Sequence, residues 1–255
     1  MATFTRSDDL RGAEFVDADL HGARFVGADL TGVVMRGVQV ERADIDAPWL
    51  LGSGEPLLVN GVDVAPFVEA ELNRRFPGRA QQRAGDPDAL RAAWAALEQA
   101  WATTLERVAA MPDGTVDVSV DGEWSFAQTL RHLVLATDMW LGRAVLGIEQ
   151  PFHPLGLRDA ATETDGTDAP KPAAGTPSYG EVLEARADRV ARVRGFLATV
   201  TAEELAAERR NPHDPASPET VLSCLHTILE EEWEHHRYAV RDLDAIESAA
   251  EPISG

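Results

Sequence analysis

Apolar residues recur at every fifth position near the beginning of the chain. The large members of this series are Leu10, Phe15, Leu20, Phe25, Leu30, Met35, Val40 and Ile45. Small or β-branched residues stand two positions before most of them: Ala13, Ala18, Ala23, Ala28, Val33, Val38 and Ala43. A spacing of five fits neither the α-helix, with about 3.6 residues per turn, nor the β-strand, with its period of about 2. It predicts a square β-solenoid in which each five-residue unit forms one side and both apolar residues point inward.

The same series resembles a known repeat family. Ala18-Asp19-Leu20 and Ala28-Asp29-Leu30 match the A-(D/N)-L signature of the pentapeptide-repeat family. The resemblance implies a right-handed quadrilateral β-solenoid over residues 1–47. Eight units make only about two coils, whereas repeat stacks need several neighbours and capped ends to be stable alone. We therefore expect this segment to have a packing role or to form a homodimer.

Residues 48–85 predict a connector of mixed character. Asn60-Gly61 stands between apolar neighbours, which is the pattern of a tight β-hairpin turn. Ala65 to Phe76 predicts a short helix, and Pro77-Gly78 ends it.

A helical period begins near residue 86 and continues over residues 86–255. Four helices are predicted: from a cap at Asp88 to about Ala110, from a cap at Ser125 to about Leu146, from Tyr179 to about Val200, and from Ser217-Pro218 to about Ser248. Residues 115–120 alternate and predict a short strand, while residues 151–177 predict a long loop. The predicted fold class is mainly α, an up-and-down four-helix bundle preceded by the β-solenoid.

Two ionisable residues interrupt the apolar face of the last predicted helix. At about 100° per residue, Glu232 and His236 fall on the same face as Leu225, Leu229 and Leu243. A buried carboxylate and imidazole need partners, because an unpaired buried charge is costly. A divalent metal is such a partner, and glutamate and histidine are ligands that suit zinc and similar ions.

The second predicted helix supplies a third candidate ligand. His132 shares a stripe with Phe126, Thr129, Ala136 and Met139. A metal held by His132, Glu232 and His236 would keep coordination positions open for water or substrate. This is the pattern of a catalytic metal site rather than a closed structural one.

The other histidines are predicted to lie outside the metal site. Glu231 and His235 have the same spacing as the proposed pair, but their face is less apolar and predicts exposure. His226 lies off the metal face and predicts a structural or supporting role. His153 and His213 lie in loops, where exposure is the favoured interpretation.

The helical part of the chain resembles a second family. The opening Trp124-Ser125-Phe126, the following His132-Leu133 and Asp138, and a final helix with an acid and a histidine resemble the DinB-like superfamily over about residues 86–248. This superfamily includes bacterial thiol S-transferases and mycothiol-dependent maleylpyruvate isomerases. The resemblance implies one divalent metal, zinc or nickel, and a low-molecular-weight thiol as co-substrate. Its usual ligands are three histidines, and Glu232 matches the glutamate variant of the isomerases.

Composition narrows the functional classes. The net charge of −20 excludes direct binding to nucleic acid, which needs concentrated basic residues. Residues 1–47 hold nine acidic and five basic residues, so only −4 of that charge lies in the repeats, which argues against mimicry of DNA. No apolar run approaches the ~20 residues of a membrane span and no signal core is present, so we expect a cytoplasmic protein with no membrane partner.

Two residue counts bear on origin and chemistry. Lys171 is the only lysine beside 22 arginines, which indicates GC-rich codon usage of the actinobacterial kind. Mycothiol is the natural thiol of such an origin. The single cysteine, Cys224, excludes an internal disulfide and has no activating cation nearby in the sequence, so an inert thiol is expected.

These observations favour a metal-dependent enzyme that acts on a small-molecule substrate. The leading hypothesis is a thiol-dependent S-transferase or isomerase, and a metal-dependent hydrolase is its nearest variant. A different class stays open, namely a non-catalytic metal-binding or interaction module with the repeats as its assembly surface.

Overall fold

A computed structural model describes residues 3–5, 7–52, 54–158, 175–214 and 216–250. The chain divides into two compact units, Met1–Asp46 and Ala47–Gly255. Most of the loop predicted over residues 151–177 lies outside the described residues, and the parts on either side of it are not helical.

The first unit is a series of turns. The backbone N–H groups of Ala13, Ala23, Val33 and Ala43 each donate to the carbonyl three residues earlier, so the turn recurs every ten residues. Residues 3–5 and 7–46 include no strand and no buried side chain. The large apolar residues are 44% exposed at Leu10 and 63% exposed at Ile45. The predicted β-solenoid with inward-stacked side chains is therefore not what these residues form, because about two coils offer too few neighbours for stacking.

The second unit begins with a hairpin and a short helix. Strands β1 (Leu58–Val59) and β2 (Val62–Asp63) pair antiparallel around Asn60-Gly61, as predicted. Helix α1 spans Ala65–Arg75 and is followed by a 3-10 turn at Arg79–Gln81.

Two contacts join the residues that follow α1 to the long helix near the end of the chain. Arg79 is buried, and its guanidinium lies 3.4 Å from the carboxylate of Glu234. The Nε2 atom of His226 lies 2.9 Å from the carbonyl oxygen of Ala84, which gives His226 the structural role predicted for it. The second half of the predicted connector is thus part of the helical unit.

Gly78 allows the chain to turn closely past the core. Its φ is +99°, and a Cβ placed there would lie 2.8 Å from Cβ of Ala96 and 3.4 Å from the ring of Trp233. Only glycine meets both conditions without strain.

Gly78→Ala is therefore expected to lower the free energy of unfolding by about 2–3 kcal/mol, from left-handed strain and overpacking together. Urea unfolding measures this change. Gly114→Ala is the matched control, because Gly114 also has a positive φ of +86° but open space around its Cβ position. An equal loss in both variants would show that the contact with Ala96 contributes nothing.

Four long helices form the rest of the unit: α2 (Pro87–Ala109), α3 (Phe126–Thr137), α4 (Tyr179–Thr199) and α6 (Val221–Ala250). A short helix α5 (Ala202–Leu205) and a two-stranded pair, β3 (Glu208–Arg209) with β4 (Glu219–Thr220), connect α4 to α6. Helix α3 continues directly as a π-helix over Asp138–Val145.

Local chemistry explains most of the helix boundaries. The Ser125 hydroxyl accepts from Gln128 N, while the Gln128 side chain accepts from Ser125 N, and this capping box begins α3 as predicted. Asp86 rather than Asp88 caps α2, because its carboxylate accepts from the first free backbone N–H groups. Thr115–Asp117 forms a 3-10 turn, so the predicted strand at residues 115–120 was wrong.

The four long helices surround one core. Helices α2 and α3 each pack against both α4 and α6, and the π-helical stretch also packs on α6. The largest fully buried side chains include Trp233, Leu90, Leu97, Leu130, Leu133 and Leu225. The mainly α class is confirmed, and the up-and-down order of a four-helix bundle stays a prediction. None of the described helices is long and apolar enough to cross a membrane.

Candidate metal centre

One cluster of potential metal ligands lies between α3 and α6. Among the residues that the structure describes, His132, Glu231 and His235 are the group in which one ligand atom of each lies within 4.8 Å of the others. The Oε2 atom of Glu231 lies 3.4 Å from Nε2 of His132 and 3.4 Å from Nδ1 of His235. The two imidazole rings stack at 4.7 Å between centroids.

Helix α3 holds His132 in a restricted position. Its side chain is buried, and its ring also contacts the indole of Trp124 at 4.7 Å between centroids. The Nδ1 atom lies 3.2 Å from the carbonyl oxygen of Leu157. A neutral imidazole that donates from Nδ1 carries its lone pair on Nε2, the atom that faces Glu231.

His235 is oriented in a similar way by its own helix. Its Nδ1 atom lies 2.8 Å from the carbonyl oxygen of Glu231, one helical turn earlier. Donation of the second ring nitrogen to a backbone carbonyl is the usual arrangement of metal-binding histidines in proteins. His132 has this arrangement, whereas in His235 the same Nδ1 atom lies near both the Glu231 carbonyl and, at 3.4 Å, the Glu231 carboxylate, so Nε2 is the ring nitrogen that remains for a metal.

Glu232 lies in a different environment, on the side of α6 that faces α4. It is 1% exposed, and Nη2 of Arg186 lies 2.6 Å from its Oε1 and 2.5 Å from its Oε2. Burial raises the pKa of Glu232, and the Arg186 guanidinium opposes that shift. The carboxylate therefore has its charge partner within the protein.

His236 is a core histidine. Its Nε2 lies 2.9 Å from the hydroxyl of Thr104, and its ring makes an edge contact with Trp101 at 5.0 Å. Phe76 and Trp233 approach the same ring from other directions. Burial lowers the pKa of His236 to about 4, so the imidazole is neutral at pH 7.

Of the three ligands predicted from the sequence, only His132 belongs to the cluster. Glu232 and His236 point to the core instead, and the candidate ligands on α6 are Glu231 and His235. The side chains of Glu231 and His235 are 18% and 13% exposed, so the exposure predicted for them was wrong. Ile228 and Ala239, which lie along the same face as Glu231 and His235, are both buried, so this face is more deeply packed than its composition predicts.

Aromatic and basic side chains lie next to the cluster. Tyr238 makes an edge contact with the ring of His235 at 5.7 Å. The guanidinium groups of Arg237 and Arg241 lie over the Tyr238 ring at 4.5 and 5.2 Å. His213 is exposed, as predicted, and His153 is half-buried.

Cys224 is not positioned to act as a nucleophile. Its side chain is fully buried, and burial raises the pKa of the thiol to about 11. At pH 8 the thiol form therefore dominates and no solvent path reaches the sulfur, which agrees with the inert thiol expected from the sequence.

We expect the folded protein to resist alkylation of Cys224 by iodoacetamide at pH 8, because the reactive thiolate is scarce and shielded. Mass spectrometry should detect full modification only when urea unfolds the chain. Rapid modification under native conditions would contradict the burial described above.

Comparison with known families agrees with this architecture. A family model for pentapeptide repeats matches residues 9–45 in eight copies. A family model for the DinB superfamily matches residues 96–239, a range that contains all three cluster residues. We found no match to this chain among the curated proteins or the solved structures. Because the DinB match covers more than half of the chain, the protein belongs to the DinB superfamily and carries pentapeptide repeats near its beginning.

Proposed function

We propose that the protein is a metal-dependent enzyme, in which His132, Glu231 and His235 hold one divalent metal. The observation that carries this proposal is the convergence of two imidazoles and one carboxylate within 4.8 Å of one another. Membership of a superfamily whose members generally bind a metal supports it.

The ligand set fits zinc first and nickel second. Two histidines and one glutamate form a known catalytic zinc set, and three protein ligands keep further coordination positions open. The Leu157 carbonyl beside Nδ1 of His132 is the feature that orients metal-binding histidines, and the Glu231 carbonyl beside Nδ1 of His235 leaves Nε2 of that ring as the candidate ligand atom. A bound divalent metal would lower the pKa of a thiol or water and so supply a nucleophile at neutral pH.

The nucleophile itself is expected to come from solution. Cys224 is the only cysteine of the chain, and its sulfur is buried with a raised pKa. We infer that a low-molecular-weight thiol, mycothiol or a similar compound, is the co-substrate. The resemblance to thiol-dependent members of the superfamily supports this choice over water.

The proposed reaction joins the thiol to a small electrophile. The thiol loses its proton to solvent, and its sulfur forms a bond to an electrophilic carbon. In a transferase, a leaving group departs from that carbon with the electron pair of the broken bond. In an isomerase, the sulfur adds to one carbon of a conjugated double bond, and the π electron pair of that bond moves onto the conjugated carbonyl oxygen. After rotation about the resulting single bond, the pair returns, re-forms the double bond and expels the thiolate, which regains its proton from solvent.

Two side chains could orient such a substrate beside the ligands. Trp124 stacks near both histidine rings, at 4.7 Å from His132 and 6.2 Å from His235. Tyr238 contacts the other edge of His235. Their aromatic surfaces would restrict the site to a small or flat electrophile and limit the access of water.

The experiment is thiol-dependent turnover by metal-loaded protein. We expect zinc- or nickel-loaded protein to consume an aryl halide in the presence of a low-molecular-weight thiol, and His235→Ala to lose at least about 100-fold of kcat/KM, as expected when a metal ligand is removed. His213→Ala is the control, because His213 is an exposed loop histidine. Metal binding without turnover of any thiol and electrophile pair would overturn the thiol reaction, and hydrolysis without thiol would identify water as the nucleophile.

A further inference from the structure

A short segment of the chain, His153–Leu157, runs along α3 and ends at the metal cluster. We call it the strap. We propose that the strap positions His132 for metal binding and that Asp138 is the residue that anchors it. This inference rests on the proposed metal site, but the orientation of His132 can be tested without any metal.

Three hydrogen bonds fasten the strap to α3 and to the π-helix that follows. Asp138 Oδ2 accepts from the backbone N–H of His153 at 2.8 Å. The side chain of Arg131 donates to the carbonyl of Leu155 at 2.9 Å, and Leu157 N–H donates to the carbonyl of Arg131 at 3.2 Å. The strap then presents the Leu157 carbonyl to Nδ1 of His132 at 3.2 Å.

Asp138 is held rigidly for this role. It is 2% exposed and lies about 9 Å along the helix from His132, at about 1.5 Å per residue. Arg189, which is also buried, donates to both of its oxygens at 3.0 Å. Because the guanidinium neutralises the carboxylate, Asp138 remains a strong acceptor for the His153 N–H without an unpaired buried charge.

Close packing at Gly156 brings the strap against the helix. A Cβ at this position would lie 3.2 Å from the carbonyl oxygen of His153 and 3.3 Å from Cβ of Leu135. These distances are tighter than ordinary contacts, so an added Cβ requires the strap and Leu135 to separate by a few tenths of an ångström. The Leu157 carbonyl would then move away from His132.

The consequence for the site is a fixed tautomer. While the Leu157 carbonyl accepts from Nδ1–H, the lone pair of His132 stays on Nε2, the atom that faces Glu231. Without this acceptor, both neutral tautomers become populated and the ring is free to rotate. Loss of such a supporting partner typically weakens metal affinity by about 10–100-fold.

Two variants with matched controls test the proposal. Gly156→Ala displaces the strap, and Gly180→Ala makes the same change where the added Cβ meets nothing. Asp138→Asn leaves one oxygen to serve both His153 and Arg189, and Asp188→Asn makes the same change at the other carboxylate bonded to Arg189, whose ion pairs are with Arg189 and Arg192 rather than with the backbone of the strap. The readouts are zinc affinity by competition with a chromogenic chelator, and the His132 tautomer from two-bond ¹⁵N–¹H spectra of metal-free protein at pH 8.

We expect Gly156→Ala and Asp138→Asn to bind zinc at least about 10-fold more weakly than wild type and their controls. In both variants His132 should change from the Nδ1–H tautomer to a mixture. An unchanged tautomer would overturn the proposal, even if thermal stability falls, and so would an Nε2–H tautomer in wild type. If wild type binds no zinc, the proposed function fails, while the tautomer spectra still decide the role of the strap.

Discussion

His235→Ala is expected to weaken the binding of zinc or nickel by at least about 100-fold, whereas His236→Phe should leave it within about threefold of wild type. The reason is that loss of a ligand exceeds the 10–100-fold cost of losing a supporting partner. His235 belongs to the cluster, while His236 lies among Trp101, Phe76 and Trp233, where a phenyl ring fits the same space. Elemental mass spectrometry of purified protein and chelator competition measure the difference.

The same comparison applies to the neighbouring acids. Glu231→Gln, like His235→Ala, should lose the metal. Glu232→Gln should retain it, because the Glu232 carboxylate is bound to Arg186. The reverse pattern, with metal lost in the variants of residues 232 and 236 alone, would support the ligand set predicted from the sequence. Absence of metal in wild type even after loading would overturn the metal-dependent enzyme.

Arg186→Met is expected to lower the free energy of unfolding by about 3–5 kcal/mol, because it leaves the Glu232 carboxylate buried without its partner. The double variant Arg186→Met with Glu232→Gln should recover most of this loss, since no buried charge then remains. Urea unfolding of wild type, both single variants and the double variant gives the coupling energy directly.

A small loss in Arg186→Met, below about 1 kcal/mol, would mean that Glu232 is solvated or protonated in the folded state and that the pair contributes little. Arg194→Met is a suitable control, because Arg194 pairs with Glu98 at 2.8 Å but is 61% exposed. Exposed pairs of this kind contribute about 0–1 kcal/mol.

Most of the helical fold could be predicted from the chain, because its signals are local. The capping box of Ser125 and Gln128 places the start of α3, and Asn60-Gly61 places the hairpin. The π-helix and the close approach at Gly156 could not be predicted, since both depend on tertiary packing that no local pattern encodes.

The ligand set predicted from the sequence and the cluster in the structure differ by one residue on α6. A single apolar stripe is expected on a helix with one buried face, but α6 packs against both α2 and α3. Glu232 and His236 contact residues of α4 and α2, respectively. Glu231 and His235 lie about 100° further around the helix, where they face His132 of α3. His132 belongs to both the predicted set and the cluster, and its stripe on α3 points to one interior.

In the repeats, the sequence pattern is regular, but it does not predict how the side chains pack. The five-residue period is regular from Leu10 to Ile45 and is matched by a family model. The side chains of this series nevertheless stay largely exposed. A period determines where the chain turns, whereas burial depends on how many layers are present to cover each other.

The π-helix that continues α3 differs from it in the number of residues per turn. The backbone N–H of Leu146 donates to the carbonyl of Leu141, five residues earlier, so this stretch carries an extra residue compared with α-helical spacing. A turn of the π-helix holds more residues than a turn of the α-helix, so it absorbs this extra residue locally. The wider turn thus lets one more residue fit into the helix while the residues on both sides of it still pack on α6.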